Sequence, residues 1–188
     1  FFDLVFSLNT GTDQITVDAY YKGGANVVDR VEFNDGTVWD ADDIETMVAM
    51  VPTGEDDLLY GSYTLANDID DTIDGLAGND TINGGYGDDT LYGGLGDDDL
   101  NGHNDNDILI GGAGNDKLTG KASDDVYEFA PDWGQDEIRN GDYGTAPYSV
   151  DKIRFLVGIN PADILLSQSG NDLVLNRNGS SDQITVIN

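Results

Sequence analysis

A nine-residue period runs without interruption through residues 66–128 and divides them into seven units. The complete unit, for example residues 93–101, has glycine at positions one, two and four, aspartate at position six and an apolar residue at position eight. The aspartate and the apolar residue persist in all seven units. A short period of this kind is typical of a solenoid, in which similar turns stack and bury a shared core. We therefore expect this part of the chain to fold by stacking of turns.

Each recurring position has a physical reason. Glycine at positions one, two and four allows positive φ and close backbone approach, as a tight loop with inward-pointing carbonyl groups requires. Positions seven to nine predict a three-residue strand that turns only its position-eight side chain inwards. These side chains are expected to form one continuous core ladder, consisting of Ile73, Ile82, Leu91, Leu100, Leu109, Leu118 and Tyr127.

The loops offer oxygen ligands. The carboxylate at position six adds to the carbonyl oxygens of the glycine-rich loop, and calcium takes about six to eight oxygens in proteins. The chain has no cysteine and a single histidine, His103, which disfavours softer metals. The sequence therefore predicts calcium sites in the loops. The candidate ligands are the position-six aspartates and glycine carbonyl groups, namely Asp71, Asp80, Asp89, Asp98, Asp107, Asp116 and Asp125 with Gly78, Gly85, Gly87, Gly94, Gly96, Gly112 and Gly114.

In this register the units resemble the RTX calcium-binding nonapeptide repeats of secreted haemolysin-type proteins. The resemblance implies an all-β fold, a right-handed parallel β-roll in which two nonapeptides complete one turn and calcium lies between loops stacked on the same side. One side would stack the loops that contain Asp71, Asp89, Asp107 and Asp125. The other side would stack those of Asp80, Asp98 and Asp116. Adjacent same-side pairs then provide about five calcium sites in the roll, and further ions in the flanks stay an open alternative.

The two ends of the chain repeat each other. Residues 3–17 return as residues 172–186 at a constant offset of 169 residues, with 9 of 15 positions identical. Both flanks resemble the domain associated with haemolysin-type calcium-binding repeats. The residues that carry this resemblance are 31–40, 134–136, 151–155, 158–164 and 170–175. We interpret the chain as slightly more than one period of a tandem array, with neighbouring repeats of a parent chain as partners. Two unlike modules that share a hairpin are the alternative.

These features divide the chain into three parts. Residues 1–52 are expected to form a flanking β segment plus one short helix, residues 53–128 the β-roll, and residues 129–188 a β cap, all within one continuous domain. The helix is predicted over residues 41–50, where an apolar stripe is ended by Pro52. We expect this helix or the flanking strands to cover an outward apolar patch of the roll. The patch consists of Tyr92, Ile108, Ile110 and Val126.

Composition and residue types exclude several function classes. The chain has 37 acidic residues against 8 basic ones and a formal charge of −29, which opposes binding to nucleic acids and to anionic membranes. With one histidine, which lies inside a repeat loop, the chain can build neither a Ser-His-Asp triad nor a histidine-rich zinc site. We therefore expect no enzymatic activity.

The favoured interpretation is a calcium-dependent structural and folding module of a large secreted RTX protein of toxin, adhesin or exoenzyme type. The resemblance implies a chain that is disordered without calcium, leaves a Gram-negative bacterium by type I secretion and folds outside the cell. The alternative is a glycan-binding module of an extracellular polysaccharide-active enzyme. A neutral sugar would then stack on an aromatic residue such as Tyr92 or Trp133, although ordinary core and surface roles explain these residues better.

Overall fold

The computed structural model describes residues 2–7, 14–20, 30–32, 38–40, 52–61, 69–139 and 150–187. The chain divides into two compact units, residues 1–51 and residues 52–188. The helix predicted over residues 41–50 lies outside the described residues. In the part of the chain that is described, no helix is long and apolar enough to span a membrane.

The first unit contains two antiparallel strand pairs. Strand β1 (Phe2–Ser7) pairs with β2 (Gln14–Tyr20), and β3 (Arg30–Glu32) pairs with β4 (Val38–Asp40). Strand β2 follows the alternation of apolar and polar residues that is typical of strands.

The second unit is built from two sheets whose strands alternate along the chain. Its strands are β5 (Leu58–Tyr60), β6 (Thr72–Asp74), β7 (Thr81–Gly85), β8 (Thr90–Leu95), β9 (Asp99–His103), β10 (Ile108–Ala113), β11 (Lys117–Lys121), β12 (Val126–Phe129), β13 (Gln135–Arg139), β14 (Lys152–Phe155), β15 (Ile164–Ser169), β16 (Asp172–Arg177) and β17 (Gln183–Ile187). One sheet has the order β14-β12-β10-β8-β6 and is parallel throughout; the other has the order β15-β16-β17-β13-β11-β9-β7-β5 and is parallel from β17 to β5. This arrangement confirms the predicted all-β parallel β-roll.

The register of the roll follows the sequence period. Ile108 pairs with Thr90 on one side and with Val126 on the other, so that paired residues lie two nonapeptides apart. Strand β6 has the three residues predicted, whereas β8 and β10 are longer because they continue into the first three positions of the next unit. The Leu95 N–H donates to Leu76 O at 3.0 Å, which extends the ladder into the loops. Loops and strands therefore form one continuous hydrogen-bonded stack.

The position-eight side chains form the predicted core ladder. Those from Ile82 to Tyr127 are at most 1% exposed, and Ile73 is partly buried against them. The ladder continues beyond the periodic segment, through Leu59 at one end and Ile138 at the other. An aromatic cluster closes the core at its carboxyl end. The centroid of the Trp133 ring lies 5.7 Å from the ring centroid of Phe129 and 5.7 Å from that of Phe155.

The roll extends further than residues 53–128. Strands β13 and β14 each continue one of the two sheets, and β17 pairs with β13 in parallel. The connection between β14 and β15 contains a short helix. It is a 3-10 helix over Pro161–Asp163, and the Asn160 side chain accepts a hydrogen bond from the Ala162 N–H at 3.0 Å. The residues following the periodic segment are therefore continuous with the roll.

The terminal hairpins have the same register. Leu4 pairs with Val17 in the first hairpin, and Leu173 pairs with Val186 in the second. All four residue pairs of β16–β17 have counterparts in β1–β2 at the offset of 169 residues. The sequence duplication is thus also a structural duplication.

Candidate metal-binding turns

The position-six aspartates form two hydrogen-bonded ladders, one on each side of the roll. On one side the N–H of Asp80 donates to Asp98 Oδ1, and the N–H of Asp98 donates to Asp116 Oδ1, at 2.8 and 2.9 Å. On the other side the N–H groups of Asp71, Asp89 and Asp107 donate in the same way to Asp89, Asp107 and Asp125. The two stacks have the membership expected from the sequence.

Only one oxygen of each carboxylate is used in these hydrogen bonds. Six position-six aspartates are at most 3% exposed and have an Oδ2 atom with no hydrogen-bond partner among the described residues. They are Asp80, Asp89, Asp98, Asp107, Asp116 and Asp136. A buried polar atom without a partner is costly. A row of such oxygens is suited to bind a positively charged ligand.

In the regular turns, the position-one glycine keeps a space open beside the Oδ2 atom of the position-six aspartate. A Cβ built on Gly93 would overlap Asp98 Oδ2 and would lie 2.5 Å from Gly111 O in the next turn on the same side. A Cβ on Gly75 would likewise overlap Asp80 Oδ2 and lie 2.6 Å from Gly93 O. A carboxylate oxygen and a carbonyl oxygen therefore converge on the same space between adjacent turns.

The glycines proposed as carbonyl ligands occupy positions two and four, and all have positive φ. At Gly96 and Gly114 an added Cβ would overlap the carbonyl oxygen of the equivalent glycine one turn earlier. Positive φ therefore accounts for glycine at positions two and four. Position one needs glycine for a different reason, because the aspartate carboxylate approaches it too closely for a Cβ. From the sequence alone we gave one reason for all three positions.

Burial raises the pKa of these carboxyl groups. Desolvation is the largest cause, and the charges of neighbouring aspartates add to it, while the N–H bond to Oδ1 opposes it. The pKa is raised to about 6 for Asp89 and Asp98, to about 7 for Asp116 and to about 8 for Asp107 and Asp136. The ionised turns therefore require a counter-charge.

The donor set fits a hard cation. Within the described ranges, no three side chains of histidine, cysteine, aspartate or glutamate converge as a metal cluster. Each turn contributes one buried carboxylate, so any further ligands must come from backbone carbonyl groups or water. Calcium accepts such mixed oxygen ligands at about 2.3 to 2.6 Å, whereas softer metals favour nitrogen and sulfur. The turns can therefore hold calcium between stacked carboxylates.

A second ladder at position five was missed by the sequence analysis. The N–H of Asn115 donates to Asp97 Oδ1, and the N–H of Asp97 donates to Asn79 Oδ1, both at 2.8 Å. On the other side Asn106 and Asp88 make the equivalent contact at 2.9 Å. Position five is asparagine or aspartate in every unit from residue 66 to residue 128, a regularity that was visible in the sequence. Asp97 is exposed and links adjacent turns.

Two turns on one side depart from the glycine pattern. His103 and Lys121 occupy position two of stacked loops, both with positive φ, and Lys121 Nζ lies 2.9 Å from His103 Nδ1. Burial lowers the pKa of both groups. Asp107 nevertheless remains in its ladder, as predicted for this unit. The irregular loop thus keeps the carboxylate stack.

Three further aspartates belong to the ladders although they lie outside the periodic segment. Asp57, Asp136 and Asp151 are separated from their ladder neighbours by 23, 20 and 26 residues. Each is followed two residues later by an apolar residue, namely Leu59, Ile138 and Ile153. An aspartate followed two residues later by an apolar residue could have identified them, but insertions before and after the repeats break the nine-residue period.

The residues of the predicted apolar patch differ in exposure. Tyr92 is 40% exposed, whereas Ile108, Ile110 and Val126 are half-buried. The proposed covering helix lies outside the described residues, so the cover of this patch stays a prediction.

Trp133, which we considered as a residue on which a sugar could stack, is 1% exposed and belongs to the core. That part of the glycan interpretation is wrong, because an aromatic ring must be accessible to stack on a sugar.

The described residues thus define a parallel β-roll with carboxylate-bearing turns suited to calcium. Comparison with protein families assigns residues 3–43 to the haemolysin-type calcium binding protein related domain. It assigns residues 65–100 and 101–129 to the RTX calcium-binding nonapeptide repeat. No curated protein matches the chain. Residues 65–129 are therefore similar to the RTX calcium-binding nonapeptide repeat, a family that is generally structural rather than catalytic.

Proposed function

We propose that the chain is a calcium-dependent folding module of a secreted RTX protein. The observation that carries this proposal is the row of six buried carboxylate oxygens without hydrogen-bond partners, each belonging to a turn stacked on its neighbours. The position-six aspartates and the position-two and position-four glycines, as first assigned from the sequence, are the proposed ligand residues. Calcium would supply the positive charge that these turns lack.

Without calcium, ionisation of the buried aspartates opposes folding. The formal charge of −29 adds repulsion throughout the chain, and the glycine-rich loops lose much conformational entropy when they order. Calcium that binds only the folded state adds RT ln(1 + [Ca]/Kd) of stability per site. Extracellular calcium modules commonly have Kd values of about 10⁻⁴ to 10⁻³ M. The chain would therefore stay unfolded at cytosolic calcium concentrations and fold outside the cell.

This calcium dependence suits export. We propose an extracellular location, with type I secretion from a Gram-negative bacterium, because an unfolded chain can be threaded through a channel. The duplicated hairpin register supports a parent protein of tandem design, in which neighbouring repeats are the partners of this unit. The toxin, adhesin and exoenzyme alternatives stay open.

The test is far-UV circular dichroism of the full chain with and without calcium. Chelated protein should give a largely disordered spectrum, and millimolar calcium should produce a β spectrum. Equal magnesium should not, because magnesium demands a rigid octahedral site and retains its water. A chelated protein with the full β spectrum would contradict the proposal. Residual strand signal from residues 1–51 alone would not.

A further inference from the structure

The turn formed by residues 131–136 lies beyond the periodic segment and outside the matched repeats. Its sequence is Pro-Asp-Trp-Gly-Gln-Asp, so only the glycine at position four and the aspartate at position six follow the pattern. Its backbone nevertheless repeats the regular conformation. Asp132 has φ of 68° and Gly134 has φ of 86°, and both positions also have positive φ in the turn before, at Gly112 and Gly114. The turn is thus a nonapeptide loop in conformation.

This turn stacks on residues 111–116 by the contacts that join the regular turns. Gly134 forms a parallel bridge with Gly114, and the N–H of Gln135 donates to Asn115 Oδ1 at 3.2 Å. The N–H of Asp116 donates to Asp136 Oδ1 at 2.9 Å. Both the inner ladder and the outer ladder therefore continue into it.

The space between these two turns has the properties of a cation site. Asp116 and Asp136 are 1% and 3% exposed, and neither Oδ2 has a hydrogen-bond partner among the described residues. Gly111 keeps the space beside Asp116 open, since a Cβ there would overlap Asp116 Oδ2. We propose that a calcium ion binds between turns 111–116 and 131–136, with Asp116 and Asp136 as its carboxylate ligands.

The chain's own groups terminate this side of the roll at both ends. At the amino end, Asp57 accepts hydrogen bonds from the Thr53 N–H at 2.6 Å and from the Thr53 hydroxyl. At the carboxyl end, Asp182 accepts from Arg177 at 2.9 Å, and the N–H groups of Asp132 and Gly134 also donate to it. Asp57 and Asp182 therefore have internal partners, whereas Asp136 Oδ2 has none.

The site contains its own optical reporter. Trp133 lies in the middle of the turn, and the chain has only one other tryptophan, Trp39. In a Trp39→Phe background, terbium(III) can replace calcium, and its luminescence can be excited through Trp133. We expect tryptophan-sensitised emission that calcium displaces. Absence of this emission would overturn the inference without any change to the proposed ligands.

The decisive variant is Asp136→Asn, which retains an oxygen to accept from the Asp116 N–H. Equilibrium dialysis should show the loss of one calcium ion per chain, and the emission through Trp133 should fall at least twofold. Glu137→Gln is the matched control because it removes a negative charge from the next residue, which is paired with Arg139. It should change neither quantity. Circular dichroism at saturating calcium establishes that each variant is folded.

The inference rests on the proposed function, and the experiment separates the two. If the unaltered chain binds no calcium, the proposed function fails. If it binds calcium and Asp136→Asn binds the same number of ions, only the site at turn 131–136 fails. If Asp136→Asn does not fold, the emission from the Trp39→Phe chain decides.

Discussion

The Oδ1 atom of Asp116 accepts a hydrogen bond from the N–H of Asp98 at 2.9 Å, while its Oδ2 atom is buried without a hydrogen-bond partner among the described residues. The two oxygens of one carboxylate therefore have different roles. One joins a turn to its neighbour, and the other is left for a ligand. Asp89 and Asp107 show the same division on the opposite side of the roll. Removal of such a side chain should affect both stacking and metal binding.

Asp107→Ala should therefore reduce calcium binding more than Asp97→Ala. Asp107 is fully buried in the inner ladder, whereas Asp97 is exposed in the outer ladder. Asp97→Ala should lower the free energy of unfolding by about 1 kcal/mol through the lost hydrogen bonds and leave the number of bound ions unchanged. Calcium stoichiometry by equilibrium dialysis distinguishes the two variants. Equal losses of calcium would contradict the assignment of the two ladders.

Gly93→Ala should weaken calcium binding because its Cβ would fill the space beside Asp98 Oδ2. Overpacking of this kind costs about 1 to 3 kcal/mol, which corresponds to roughly fivefold to a hundredfold weaker calcium binding at this one site, and it should raise the calcium concentration at the folding midpoint. Gly54→Ala is the control, since nothing lies within 4 Å of a Cβ there. Circular dichroism during a calcium titration gives both midpoints. An unchanged midpoint for Gly93→Ala would be inconsistent with a ligand site in this space.

Acid should partly restore structure to the metal-free chain. The raised pKa values, from about 6 for Asp89 to about 8 for Asp107, mean that the folded state holds protons which the unfolded chain has already released. This contribution to stability is complete below the unfolded pKa of about 4 and is lost as the pH rises to about 8. Chelated protein should thus show more β structure near pH 5 than near pH 8.

Calcium titrations should show the opposite dependence on pH. Calcium must displace the protons from these carboxyl groups, so the midpoint concentration should rise as the pH falls below about 8. Circular dichroism at several pH values measures both effects on the same sample. A metal-free fold that weakens steadily on acidification would contradict the role given to the buried aspartates.

Leu100→Ala should destabilise the calcium-bound roll by about 2 to 5 kcal/mol, because Leu100 is fully buried in the core ladder. Leu166→Ala serves as the comparison, since Leu166 is 68% exposed on β15 and its truncation should change stability by about 0.5 kcal/mol or less. Urea unfolding in saturating calcium measures the difference. Similar losses for both variants would place the core elsewhere.

The period predicted the elements that depend on local geometry. Strand positions, sheet membership and the burial of residues such as Leu91 follow from a nine-residue unit that alternates between two sheets. Strand length was underestimated, because hydrogen bonds between stacked loops, such as that of Leu95 with Leu76, are invisible in a single unit. These contacts exist only after stacking.

The candidate site was predicted only where the spacing stayed regular. Asp136 and Asp151 were missed because insertions separate them from the period, although each precedes an apolar residue by two positions. Trp133 was kept as an alternative sugar contact because the sequence does not indicate that residues 131–136 return to the roll, where the ring joins the core. Chain segments that leave and rejoin a solenoid require tertiary information.

The hydrogen bond from each aspartate N–H to the next carboxylate on its side gives the molecule two one-dimensional arrays. In such arrays each element is coupled directly only to its nearest neighbours. Loading of one turn therefore prepares the adjacent turn on the same side, while the opposite side is reached only through the shared core. Calcium uptake is consequently expected to be strongly cooperative along each array and more weakly coupled between them.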